Sequence, residues 1–144
     1  QPAVVALPPV HELGDAMVLA GRGATKLVAR HPRLVASELA ARCGPAVADL
    51  LELTWSTTQV VEMSALGVDK ASALAAWSLH EGIPREAVAA FGDMPNDLSM
   101  LTWAGRSVAM ANAHPEVIAA ASLTTTDNDD EGVARQIAAW LDGP

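Results

Sequence analysis

Cysteine is almost absent: Cys43 is the single one in 144 residues. That excludes an internal disulfide and any multi-cysteine zinc site within one chain, and it fits a reducing compartment, so a cytoplasmic location is expected. Basic side chains are scarce as well. Lys and Arg total 9 against 17 Asp and Glu, a formal net charge of -8, so the field around the chain repels polyanions and nucleic acid is not an expected partner. No apolar run approaches the roughly 18 residues that span a bilayer. The opening QPAVVALPPVHELGD has no basic residue ahead of its short apolar stretch, so neither a membrane anchor nor a signal peptide is expected. Internal repeats and low-complexity tracts are missing too. The first residue is Gln1 rather than Met, and the chain is expected to belong to a longer gene product or to follow a removed segment.

What is present alternates. A chain of this length forms about one domain or two small lobes. Short β-branched runs take turns with segments of helical periodicity, which predicts an α/β protein. In the first third, TKLVAR reads as a strand and RLVASELAARCG as a helix ended by Gly44-Pro45. LLELTWSTTQVVEM reads as two strands about a Trp55-Ser56-Thr57-Thr58 turn. This β-α-β-β pattern favours a mixed or antiparallel sheet of its own. Residues 1–23 hold Pro2, Pro8, Pro9, Gly14, Gly21 and Gly23; only DAMVLA looks like an element, and the rest is expected to be partly irregular. Gly67 marks a boundary between Ala65 and Val68.

Beyond it, Lys70 to His80 predicts a helix with Leu74, Trp77 and Ala73 on its inner face, stopped by Gly82-Ile83-Pro84. Ala87 to Phe91 reads as a short buried strand, Asn96 to Ala104 as a helix stopped by Gly105, and Ser107 to Met110 as a second buried strand. Pro115 opens a helix running to about Ala121, SLTTT makes a short strand, and Gly132 to Leu141 closes the chain as a helix with Val133, Ile137 and Trp140 aligned.

Chemistry concentrates in AAFGDMPNDLSML, Ala89 to Leu101. In open α/β sheets ligands gather at the carboxyl ends of strands, so a strand ending in Gly92-Asp93 puts that carboxylate where ligands are held. Gly92 permits a sharp turn, Pro95 stiffens the loop, and Asn96 is placed to cap the next helix while presenting an amide. Asp93 and Asp97 are hard oxygen donors suited to Mg²⁺, which takes one or two carboxylates and keeps water or phosphate oxygens elsewhere. The same spacing also fits ordinary acids of a loop and a helix start. Lys70 is the second candidate. A cation at a helix N-terminus opposes the helix dipole, and a bound phosphate or a carboxylate would compensate it; a solvent-exposed pair with Asp69 is the plainer alternative. The four histidines stand at no metal-ligand spacing and read as surface or capping residues. Cys43 reads as a packing residue, and the five methionines as core filler, with Met94 in the loop.

Taken together, GVDKASAL, FGDMPNDLSML, VAMANAHPEV and TTTDNDDEGVARQI, in this order, resemble the C-terminal part of haloacid dehalogenase (HAD) superfamily phosphatases of the Cof type, with an α/β cap. The resemblance covers roughly Ala24 to Leu141. It implies a HAD-like Rossmann-type core, of which residues 67–144 form the C-terminal half, and residues 1–66 as the C-terminal part of the cap. It implies that Lys70 contacts the phosphoryl group, that Asp93 holds Mg²⁺, and that Asn96 and Asp97 complete the phosphate and metal environment, Asp97 at one remove from the metal. Ala111 stands where a glycine commonly precedes the Asn-Ala pair, and no role is assigned to Asn112. The family's aspartate nucleophile, in a DxDGT-type motif, has no counterpart here; the lone early Asp15 precedes its apolar run. The implied function is Mg²⁺-dependent hydrolysis of a small phosphorylated metabolite such as a sugar phosphate or nucleotide, with this chain inactive by itself. The alternative is a non-catalytic binding or self-associating module. Expected partners are the metabolite and either a second copy or an N-terminal half.

Overall fold

The computed structural model describes residues 14–21 and 23–143; most of the segment expected to be irregular lies outside them. The described part opens with α1, Ala16–Ala20, where Asp15 accepts from Met17 N at 2.9 Å and Val18 N at 3.2 Å. Asp15 is thus a helix cap. Met17 is 82% exposed and does not fill a core.

Three strands then form an antiparallel sheet in the order β1-β3-β2, from β1 (Leu27–Arg30), β2 (Leu51–Trp55) and β3 (Val60–Ala65). Strand alternation sorts the side chains by face. Leu53, Trp55, Val61 and Met63 turn to α2, Ala36–Val47, and pack with Leu39 around buried Ala36 and Ala40. The cross-strand pairs Glu52 with Ser64 and Thr54 with Glu62 occupy the opposite face. The helix does not end at Gly44-Pro45 as expected. Pro45 sits inside it and the helix continues to Val47, with Ala48 N donating to Gly44 O at 2.9 Å. A proline in the final turn forfeits one intrahelical bond and leaves the remaining turn intact.

The chain leaves β3 at Ala65, turns through Gly67 at φ 73, and enters α3, Lys70–Glu81. Asp69 caps this helix by accepting from Ser72 N at 2.7 Å, while Ser72 Oγ accepts from Asp69 N at 3.0 Å. Gly82, at φ 67, closes it in the left-handed conformation that glycine adopts without penalty. The inner face keeps Leu74 as expected, but Trp77 and Ala73 face outward. Ala71, Leu74, Ala75 and Ser78 turn inward, with Ser78 buried, while Trp77 is 62% exposed.

The second sheet is parallel, in the order β4-β5-β6, from β4 (Ala89–Gly92), β5 (Arg106–Ala109) and β6 (Leu123–Thr124). Strand β4 begins two residues later than expected, because the turn after Pro84 takes up Arg85–Ala87. It reaches Gly92, which pairs with Ala109. Strand β5 ends one residue before Met110. Helix α4, Leu98–Trp103, connects β4 to β5, and α5, Pro115–Ala120, precedes β6. The last helix, α6, is Gly132–Leu141. Ala90, Leu101, Val108, Ala109, Met110 and Val117 are buried between these layers. Apolar residues on both faces of β5 mark a strand covered on each side. Among the described residues β4 pairs with β5 alone, and its other edge is free.

Candidate functional site

The parallel strands carry their ligand-facing loops at their carboxyl ends, and three of those loops are stitched together. Met110 N donates to Gly92 O at 3.1 Å, and His114 N donates to Asp93 O at 2.8 Å. The loop after β5 therefore holds the loop after β4. Pro95–Asp97 then forms a single tight turn, closed by Asp97 N donating to Met94 O at 2.8 Å. That turn folds the Asp97 side chain back over its own loop.

Asp97 is only 5% exposed, and three donors meet its carboxylate. Oδ2 accepts from Asp93 N at 3.0 Å and Met94 N at 3.2 Å, and Oδ1 accepts from Lys70 Nζ. The cation at the head of α3 thus finds its compensating carboxylate in Asp97, while Asp69 is occupied as the helix cap. Buried charge is tolerable when paired and hydrogen-bonded in this way. Gly92 is required for it: a Cβ there would lie 2.5 Å from Asp97 Cβ.

Asp93 is half-buried, and among the described residues no hydrogen bond reaches its carboxylate. Asn96 does not cap α4; it lies inside the tight turn, and its Oδ1 is buried without a hydrogen-bond partner. Helix α4 has no side-chain cap because Asp97, at its cap position, is turned toward Lys70 and the loop. Among the described residues no group of three or more His, Cys, Asp or Glu side chains gathers around a point. This stretch can supply part of a metal's ligands. The donors suit a hard cation: a strand-end carboxylate with no hydrogen-bond partner among the described residues and, three positions on, a buried amide oxygen that lacks a donor.

The other singled-out residues have structural partners. His31 Nδ1 accepts from Arg33 N and Leu34 N, and His114 Nδ1 accepts from Glu116 N at the head of α5. His80 lies 5.8 Å from the Trp77 ring on an exposed face. His11 lies outside the described residues. Asn112 Oδ1 accepts from Asn128 N at 3.2 Å and so ties the loop after β5 to the acidic loop before α6.

A cleft of about 460 Å³ opens beside Lys70. Lys70, Asn96 and Ser99 form one wall, and the polar face of the antiparallel sheet, with Lys26, Glu52 and Glu62, forms the other. Glu62 accepts from Lys26 Nζ and Ser56 Oγ on separate oxygens. The Lys26 hydrogen bond, then that of Ser56, holds its carboxyl below the usual range, and Lys70 across the cleft adds to this. Asp69 is lowered as well, chiefly by the Ser72 backbone N–H. Sequence reasoning missed this second wall. The available signal was the period-2 pattern that puts Glu52, Thr54, Glu62 and Ser64 on one face.

Residues 7–137 match the family described as haloacid dehalogenase-like hydrolase. A 5-amino-6-(5-phospho-D-ribitylamino)uracil phosphatase of Bacillus subtilis is 42% identical over 91 residues, which are 63% of this chain and 36% of that protein. A haloacid dehalogenase-like hydrolase from B. subtilis matches in structure with a TM-score of 0.72 at 31% identity, covering 79% of this chain and 40% of that one. The HAD subclass IIB sugar phosphatase BT4131 matches with a TM-score of 0.67 at 28% identity, over 73% of this chain and 40% of its own. The chain spans little more than a third of the length of the curated relative. With the family match running through both sheets and the Lys70–Asp97 loop site, the chain belongs to the haloacid dehalogenase-like hydrolases, in the Cof-type branch of that superfamily.

Proposed function

We propose that the polypeptide carrying this chain is a Mg²⁺-dependent phosphoric monoester hydrolase acting on a small phosphorylated metabolite such as a sugar phosphate or nucleotide. One observation carries the reading. Asp97 clamps Lys70 from one helix and the Asp93–Met94 backbone from a strand-end loop, and the Asp93 carboxylate has no partner among the described residues. The similarity to phosphatases of phosphorylated ribityl compounds and sugars supports the substrate class. We assign residues 1–66 to the C-terminal part of a cap domain and residues 67–144 to the C-terminal half of the catalytic core.

In this reading the Lys70 ammonium neutralises a phosphoryl oxygen, and Asn96 donates from its amide to another. Asp97 holds both Lys70 and the loop in place, so the charge meets the phosphoryl group without reorganisation. Asp93 holds Mg²⁺, which when bound offsets charge on the phosphoryl oxygens. No DxDGT-type motif is present among the 144 residues, so the covalent aspartyl-phosphate step falls to a residue this chain does not supply. Electrostatic groups are worth about 10²- to 10³-fold each, too little for turnover by themselves.

The test is Mg²⁺-dependent release of p-nitrophenol from p-nitrophenyl phosphate, by the 144-residue chain and by a polypeptide that also carries upstream sequence. Turnover by the longer form alone is expected. Turnover by the 144-residue chain overturns its inactivity, and none in either form overturns the phosphatase reading.

A second reading is a self-associating module. The free edge of β4 among the described residues favours it, since an unpaired strand edge is a template for another chain.

A further inference from the structure

The loop after β5, Met110 to His114, supplies no reacting group in the phosphatase reading, yet it carries Asp93. The main chain of Asp93 is held from both sides: its N–H donates to Asp97 Oδ2 at 3.0 Å, and its carbonyl accepts from His114 N at 2.8 Å. One residue earlier, Gly92 O accepts from Met110 N at 3.1 Å. Asp97 thus fixes one side of Asp93, and the loop after β5 fixes the other. Within that loop Ala113 N donates to Met110 O at 3.0 Å; Met110 and Ala113 are buried, and Asn112 stands exposed between them.

An exposed asparagine ordinarily faces water. Asn112 instead turns its Oδ1 to the backbone N–H of Asn128, 16 positions away, at 3.2 Å. Asn128 belongs to a cross-linked turn. Asp130 N donates to Asp127 Oδ1 at 2.8 Å, Thr126 Oγ1 donates to Asp130 O at 3.1 Å, and Gly132 N donates to Asp127 O at 3.1 Å. The head of α6 is pressed against the same turn, since a Cβ at Gly132 would lie 2.2 Å from Thr126 O. The other bond from the loop after β5 to this turn, Ala111 N to Thr126 O, is a main-chain bond at 3.4 Å, near the limit of useful length. Among the described residues, Asn112 is therefore the one position in the loop whose side chain bonds it to the turn before α6.

We propose that Asn112 is a positioning residue for the metal carboxylate: by anchoring the loop after β5 to the turn before α6, it holds His114 N against Asp93 O and so keeps the Asp93 side chain aimed at the cation. Asn112 acts through His114 and Asp93 and is not itself a ligand. Partners of this outlying kind orient a ligand and tune its affinity for the metal. The proposal rests on the phosphatase reading, which gives Mg²⁺ to Asp93.

Two variants test it: Asn112→Ala removes the accepting oxygen, and Asn112→Asp keeps it. In the metal-free 144-residue chain, Asn112→Ala should speed amide hydrogen exchange at His114 and Asn128 about three- to tenfold, the size of one hydrogen bond. Exchange in β5 should not change, and Asn112→Asp should restore the slow rate at both amides. In the longer polypeptide, Mg²⁺ affinity by isothermal titration should fall about three- to tenfold in Asn112→Ala and return at least to the wild-type value in Asn112→Asp. Unchanged exchange at His114, Mg²⁺ affinity that survives Asn112→Ala even where the urea midpoint falls, or a loss that Asn112→Asp does not restore, overturns the positioning role and leaves the phosphatase reading standing. Mg²⁺ affinity that Asp93→Asn leaves unchanged overturns the assignment of the metal to Asp93, and the positioning role falls with it.

Discussion

At the scale of single residues, two aspartates four positions apart have opposite circumstances. Asp97 is buried and accepts from Lys70 and two backbone N–H groups; Asp93 is half-buried, and no hydrogen bond reaches its carboxylate among the described residues. Asp93 is therefore the carboxylate to which the proposed reading gives the cation. In the longer polypeptide, Asp97→Asn should lower Mg²⁺ affinity about 10- to 100-fold, the usual cost of losing a supporting partner, and Asp93→Asn should lower it further. Equal losses by isothermal titration would make the division of roles wrong. Gly92 is the third residue of this unit. Gly92→Ala drives a methyl into Asp97 Cβ, which lies 2.5 Å away, and the loop must shift. Overpacking of this kind costs about 1–3 kcal/mol, so the urea midpoint should fall; an unchanged midpoint would show that the loop yields without strain.

At the scale of elements, local signals located most helices and strands, and neighbours settled their faces and ends. Helix α6 runs from Gly132 to Leu141 as its periodicity predicts, because an amphipathic stripe bounded by glycine needs little outside help. Helix α3 was legible in extent but not in orientation. Its many alanines leave several faces nearly equal in hydrophobicity, so packing against α4 chose the face of Ala71, Leu74 and Ser78 over that of Trp77. The β1–β3 pair carries a pH prediction. Glu62 lies below its ordinary value of 4.5, first because of Lys26, so its contribution to stability is present above that value and is lost as pH falls through the folded pKa. Lys26 is 46% exposed, and solvent screening holds the pair to at most about 1 kcal/mol. Wild-type protein should lose more stability than Glu62→Gln as pH falls below about 5. Equal losses in urea titrations at neutral and acid pH would remove Glu62 from the account.

For the whole molecule, the decisive feature is the parallel sheet in which β5 is covered on both faces and β4 has a free edge among the described residues. Trp77 and Leu79 are exposed at 62% and 83%. Open edges and apolar surface of this kind invite another chain. The isolated chain is expected to associate at high micromolar concentration through the β4 edge. Sedimentation equilibrium reads this directly, and a well-folded monomer at that concentration would overturn the association.

The sequence by itself determined the alternation of elements, the position of the Gly92–Asp97 loop at a strand end and the presence of a cation at the head of α3, because helix and strand periods and turn chemistry act over a few residues. Only the tertiary structure decided which carboxylate takes Lys70. Asp69 is adjacent in sequence but is held by Ser72 N, whereas Asp97, 27 residues away, is carried to the ammonium by the tight turn after β4. The cleft is likewise a tertiary fact. Glu52 and Glu62 lie far from the loop along the chain and face it only because α2 takes the apolar side of their sheet, leaving the polar side to meet Lys70.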